Sequence, residues 1–246
     1  MAEPIATRVA TLGPLNRGGF AEMTAIVQEN IAALIYRQIK RKLMRGELAP
    51  GEALVLKPLV QEFSVSQTPV REALLQLVSE GVLESERSKP IRVPVLSQQD
   101  LRELRAIRLN LELMATAAAV PRITAATIDR MDSTHQEMAQ AKAQADRSGT
   151  LQKNFDFHFL LYEAAGMPIL LGLLETLWAR TGPSLRELYQ PPFFHMAGEH
   201  PHLALLRALR ARDAAGALAA IQHDVAGHGE ALMKRLEQHQ APAAPV

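Results

Sequence analysis

The sequence predicts a mainly α protein: an N-terminal head of three helices with a small β-hairpin, followed by an all-helical body. Three observations predict it. Aromatic residues make up only 4% of the 246, while Ala and Leu are abundant, a mixture that favours helix over sheet. Apolar residues recur at three- and four-residue steps along most of the chain. The alternating pattern of a strand is confined to about residues 82–95.

Each element follows in order. Residues 1–27 mix Pro and Gly with no sustained period and read as a flexible arm. From about Glu29 a helical stripe begins (Ile31, Leu34, Ile35, Ile39, Leu43), and Gly46 with Pro50-Gly51 ends it. A short apolar segment, Leu54 to Phe63, supplies the next helix. In "SVSQTPVREALLQLVSEGVL" Ser66 and Thr68 can cap a third helix, with Pro69 tolerated in its first turn. Val70, Leu74, Leu77 and Val78 form its apolar stripe. "VLESERSKPIRVPV" then reads as a two-stranded wing. Ser97, with Asp100 three residues on, caps a long helix that stops at Pro121. Further helices are expected up to Ser148-Gly149, up to Gly166-Met167-Pro168, through a segment weakened at Gly182-Pro183, and over about 200–212 and 213–238. The domains expected are a head over 28–95 and a body over 96–238. A tail, 239–246, is low in complexity and expected to be disordered.

The composition excludes several classes. No apolar run approaches the roughly 20 residues a membrane span needs, so no membrane partner is expected. The first 27 residues show no secretory signal. There is no cysteine, which removes disulfides, thiolate zinc sites and cysteine nucleophiles and fits a cytoplasmic location. Net charge is +1 and by itself says nothing about nucleic acid. Residues 28–95 carry ten Lys or Arg against eight acids, and residues 96–246 carry 15 against 16. Individual placements must therefore carry the argument.

The third helix carries the first chemistry. Gln67, Thr68 and Arg71 point away from its apolar stripe near its N-terminus, where a recognition helix in the major groove places base-reading residues. Leu54–Phe63 is then the first helix of a helix-turn-helix. Arg87, Lys89 and Arg92 lie near the wing's tip and second strand, suited to backbone phosphates. The same pattern alone also describes an ordinary Ala/Leu-rich helix beside a soluble edge hairpin.

The run "GELAPGEAL…LVQEFSVSQTPVREALLQLVSEGVL" resembles the winged helix-turn-helix of the GntR family of bacterial transcription regulators. "LSQQDLRELRAIRLNLELMATAAA" resembles the start of that family's FadR-type, or FCD, helical effector domain. The resemblance spans roughly residues 28–238. It implies DNA contacts from Lys57 on the second helix, from Ser66, Gln67, Thr68 and Arg71 on the recognition helix, and from Arg87 and Lys89 on the wing. Two departures stand out. Most relatives have Arg where this chain has Gln67, and a wing glycine where it reads Arg87-Ser88-Lys89-Pro90. Arg prefers guanine while Gln pairs with adenine, so an altered operator preference is expected.

The body carries a second candidate site. Of eight histidines (135, 158, 195, 200, 202, 223, 228, 239), most are expected at the surface. Asn154 and His158 are four apart and share a helix face beside Phe157, Leu161 and Tyr162. Unaided, His158 reads as a hydrogen-bonded core residue or a ligand. The resemblance implies a divalent metal held by Asn154, His158, His202 (or His200) and His223, although the usual spacing lands on Asp224. Zn, Ni or a similar ion suits such a set, with Asn in place of Asp weakening it. The resemblance also points Arg108 into the cavity as an effector contact. Its plain alternative is an intrahelical pair with Glu112.

The function expected is a ligand-responsive, DNA-binding regulator, read as a repressor and not an enzyme. A homodimer would engage a double-stranded operator, and a small carboxylate or sugar-acid effector would bind near the metal. The competing reading is a metal-dependent hydrolytic enzyme built on the histidines.

Overall fold

The computed structural model describes residues 17–189 and 199–240. The head contains α1 (Arg17–Met44), α2 (Leu56–Phe63) and α3 (Gln67–Ser79). The body contains α4 (Gln98–Ala119), α5 (Ala125–Ala143), α6 (Arg147–Ala164), α7 (Pro168–Leu185) with a 3-10 turn at Arg186–Tyr189, α8 (Pro201–Arg210) and α9 (Ala214–Gln240). The mainly α architecture with a helix-turn-helix head and a helical body is as the sequence predicts.

Helix α1 begins at Arg17, within the stretch expected to be an arm. Good helix formers (Ala21, Glu22, Met23, Ala25, Gln28) carry the helix upstream of the apolar stripe. The rest of that stretch, 1–16, lies outside the described residues, as do 241–246 of the expected tail. At the other end α9 reaches Gln240.

In the head, α3 buries Val70, Ala73, Leu74 and Leu77 against α1, where Ile35, Ile39 and Leu43 are buried in turn. The wing is slighter than expected. Among the described residues it consists of isolated antiparallel bridges, Glu84 with Arg92 and Ala53 with Arg92. Residues 91–93 lie between the two flanks. Glu84 and Arg92 exchange both main-chain hydrogen bonds at 2.9 and 3.0 Å, while Leu54 donates to Ile91 and Val93 to Glu52. Pro90 and Pro94 bracket this segment and lack the N–H a longer ladder needs. The participation of residues 51–54 was not expected from the sequence.

Ser97 caps α4 with a full capping box: its hydroxyl accepts from the Asp100 amide and the Asp100 carboxylate accepts from the Ser97 amide. The α5–α6 break falls earlier than Ser148-Gly149. Ala145 takes a positive φ of 56°, and Asp146 caps α6 by accepting from the Gly149 amide. Ser148-Gly149 thus lies in the first turn of α6. Pro183 does not break α7, which runs on to Leu185.

Head and body meet through α1. Its buried Lys40 donates to Tyr36 Oη at 2.7 Å, to Glu80 at the end of α3 at 3.2 Å and to Thr176 Oγ1 of α7 at 3.0 Å. Arg45 pairs with Asp156 of α6 at 3.1 Å. These polar contacts link α1 to α3, α7 and α6 and join the head to the body.

Candidate functional site

The head exposes every residue expected to touch nucleic acid. Lys57, Ser66, Gln67, Thr68, Arg71, Arg87 and Lys89 are all exposed, so none is consumed by the core. Lys57, Gln67, Arg71 and Lys89 line one surface hollow between α2, α3 and the wing. Ser66 occupies the N-cap of α3 with no side-chain cap bond among the described residues, which leaves its hydroxyl available. Lys89 pairs locally with Glu86, and Ser88 at the wing tip adopts φ 65°, the left-handed region that the relatives' glycine reaches without strain.

The second site is built from three body helices. On α6, Asn154 and His158 are buried one turn apart. On α8, His202 is buried immediately after Pro201 opens the helix. On α9, Asp224 is buried. His158 Nε2 lies 3.2 Å from Asp224 Oδ2 and 3.3 Å from His202 Nε2; His202 Nε2 lies 4.0 Å from Asp224 Oδ1. Asn154 faces the same cavity.

His223 does not join them. It is exposed, and Asp224 takes the place expected for it. One residue along a helix turns the side chain by about 100°, so only one of the two can face α6. His200 is not part of this cluster either: it caps α8, its Nδ1 accepting from the His202 amide at 3.2 Å. His195 lies outside the described residues.

The donors around the cluster settle its electronic character. Tyr162 Oη donates to Glu112 Oε2 at 2.7 Å and lies 3.2 Å from His158 Nδ1. In the tautomer with its proton on Nδ1, His158 turns the Nε2 lone pair to the cluster. Burial pushes the His202 imidazolium well below the usual histidine range, which keeps this ring neutral. Burial opposes the charge on Asp224, but His228 and His158 outweigh it and hold the carboxylate well below its usual range. For His228, burial lowers and Asp224 raises; the carboxylate prevails. His228 Nδ1 lies 3.3 Å from Asp224 Oδ1, yet its hydrogen bond goes to the Asp224 main-chain carbonyl at 2.9 Å. Among the described residues, Asn154 Oδ1 and Asp224 Oδ1 are buried without a hydrogen-bond partner. Two imidazole nitrogens and these two oxygens therefore converge. With the nitrogens that face the cluster unprotonated, such a group of two imidazoles, a carboxylate and an amide fits a first-row divalent cation.

Arg108 lines the same cavity. Its Nε donates to Glu112 Oε1 at 2.8 Å and its Nη1 to Thr181 Oγ1 at 3.1 Å, with the guanidinium 4.3 Å over the Trp178 ring. Both expectations for this residue hold geometrically: it pairs with Glu112 and it faces the cavity. Glu112, fully buried, also accepts from Trp178 Nε1 at 3.0 Å. Of this network the sequence marks only the Arg108–Glu112 pair, and it gives no role to His135 or His228. His135 had a legible signal, since Ile128, Met131 and Met138 mark the buried stripe on which it falls.

A helix-turn-helix with an exposed polar tip, carried on a helical body whose cavity is lined by apolar side chains and a few polar ones, defines a DNA-binding transcription regulator with an effector domain. The family model described as bacterial regulatory proteins, gntR family, matches residues 31–93, and the FCD domain model matches residues 103–227. The HTH-type transcriptional regulator McbR of Escherichia coli (strain K12) is 36% identical over 185 residues, covering 74% of this chain and 83% of McbR. The solved structure of E. coli McbR/YncC superposes with a TM-score of 0.76 at 31% identity, covering 85% of this chain and 99% of that one. The HTH-type transcriptional repressor RspR of E. coli is 28% identical over 185 residues, covering 73% of this chain and 78% of RspR. The chain belongs to the GntR family and carries its FCD domain, as in the FadR-like subfamily.

Proposed function

We propose that this regulator is a ligand-responsive repressor whose body binds a small carboxylic acid beside a divalent metal ion and thereby changes operator affinity. The observation that carries this reading is the buried cluster of His158, His202 and Asp224, of which His158 and Asp224 line one cavity with Asn154 and Arg108. Bound there, the ion supplies open coordination positions for an oxygen anion. Arg108 has five N–H donors, and Glu112 and Thr181 engage two of its nitrogens; the remainder suit a carboxylate. The cavity of about 50 Å³ holds roughly four waters, which favours a small acid over a sugar acid.

On the DNA side, Gln67, Thr68 and Arg71 read base edges while Lys57, Ser66, Arg87 and Lys89 hold phosphates. A homodimer places two heads on a pseudo-palindromic operator in the cytoplasm. The repressor sense rests on relatives such as RspR, which bears that word in its name. The hydrolytic alternative finds no support, since the relatives named above are transcription regulators. Among the described residues no helix is long and apolar enough to cross a membrane.

The test is a thermal-shift screen of small carboxylates on the full chain with Zn or Ni, with and without chelator, followed by operator gel shift. A ligand that binds the folded state raises Tm by mass action. The reading requires a shift that chelation abolishes and a matching change in operator affinity. If chelation leaves the shift intact, or bound acid leaves operator affinity unchanged, it fails.

A further inference from the structure

A second group of imidazoles lies on the far side of His202. His135 on α5 is buried and His200, at the start of α8, is only partly so. One nitrogen from each of His135, His200 and His202 falls within 4.8 Å of the others. His135 Nδ1 is 3.3 Å from His202 Nδ1, and the His200 ring centroid lies 5.0 Å from that of His135 and 4.5 Å from that of His202. Two nitrogens bound at 2.0–2.1 Å around a tetrahedral ion stand ~3.3 Å apart, which matches this pair. It also matches the His158–His202 pair at 3.3 Å.

His202 therefore turns one ring nitrogen to each group: Nε2 to His158 and Asp224, Nδ1 to His135. Phe157 stacks flat on it at 3.8 Å and holds the ring in this plane. The inner group is closed to solvent, with His158 and His202 1% and Asp224 4% exposed. An ion arriving from the α5–α8 side meets the partly exposed His200 first.

We propose that His135, His200 and His202 form an outer site that captures a transition-metal ion and passes it to the inner group. Three neutral imidazoles each offer one lone pair, a donor set that takes Zn, Cu, Ni or Co and leaves Mg and Ca to oxygen sites. In the outer position His202 ligates through Nδ1 and carries its proton on Nε2. On transfer the proton moves to Nδ1, where His135 Nδ1 accepts it as a hydrogen bond, and the Nε2 lone pair meets the ion. No proton is gained or lost overall. His200 lends the ion the lone pair it otherwise gives to the His202 amide, so it caps α8 again once the ion has moved inward.

The proposal rests on the inner group being a metal site, and the experiment separates the two. His200→Asn removes the imidazole yet keeps a good helix cap, and His200 faces away from the inner group. Metal-free full chain is mixed with Co²⁺, and uptake and chelator-driven release are followed by absorption, with bound metal counted at equilibrium. Losing one of three ligands should cost at least the about tenfold that even an outlying partner of a ligand is worth. Uptake and release should thus both slow by about tenfold or more while the equilibrium affinity stays unchanged. In His158→Ala, the outer three should retain a weaker ion with an all-nitrogen spectrum, lost in the His158→Ala/His200→Asn double variant. If wild type binds one ion tightly but His200→Asn leaves both rates unchanged, or if His158→Ala binds no ion, the outer site is wrong and the inner one stands. A wild-type chain that binds no ion overturns both.

Discussion

Gly182 of α7 lies directly against the main chain of Leu43 in α1: a Cβ at position 182 would sit 2.2 Å from the Leu43 carbonyl oxygen. It would also sit 2.8 Å from that of Met44. Both neighbours are backbone, so neither can swing aside. Thr181, which contacts Arg108, precedes this glycine. The cavity that Arg108 lines and the head are thus joined across one helix, and the proposed effector coupling, usually about 1–3 kcal/mol, has a short physical route. Gly182→Ala should therefore force α1 and α7 apart. We expect a stability loss of about 1–3 kcal/mol or more from overpacking, read as a lower Tm. Operator binding should persist while its response to ligand weakens. An unchanged Tm would show that the two helices do not meet there.

Glu112 holds Arg108, Tyr162 and Trp178 at once from a fully buried position. Glu112→Ala would strand the Arg108 charge, at a cost of about 3–5 kcal/mol. Glu112→Gln keeps an acceptor and should lose less. Chemical denaturation of the two variants measures the order; equal losses would mean that the charge accounts for the whole effect and the retained acceptor for none of it.

Gln67 lies exposed at the start of α3, beside Arg71 and Lys57. In a binding-site selection, Gln67→Arg should shift one operator position from adenine to guanine by about 1–3 kcal/mol. The same preference in both proteins would remove Gln67 from base reading. Lys57→Ala should instead weaken all sequences alike and lower the salt slope by about one.

Asp224 and His223 are neighbours with opposite fates, one buried among imidazoles and the other exposed. Asp224→Asn should weaken metal binding by at least about tenfold, the effect of disturbing even an outlying partner of a ligand. His223→Ala should leave it unchanged. Calorimetric titration with Zn²⁺ decides, and the reverse pattern would restore His223 as the ligand.

Much of this was legible in the residues because it is local. The stripe Val70, Leu74 and Leu77 sets which side of α3 is covered, and so exposes Gln67, Thr68 and Arg71. Ser97 and Asp100 cap one another within a single turn. Asn154 and His158 share a face because four residues make just over one helical turn. Each of these depends only on periodicity and steric rules inside one element.

The rest depended on how elements are rotated and spaced against one another. Periodicity orders the side chains around α9 but does not say which of them meets α6, and about 100° of rotation separates His223 from Asp224. Gly182 needed the close approach of α1, and the pairing of His135 with His202 needed α5 to pack on α8. The sequence by itself determined the helices, the exposed reading face and the Asn154–His158 pair. Only the tertiary structure decided which groups converge on them, because relative helix rotation is set by close packing summed over the whole core rather than by any short run of residues.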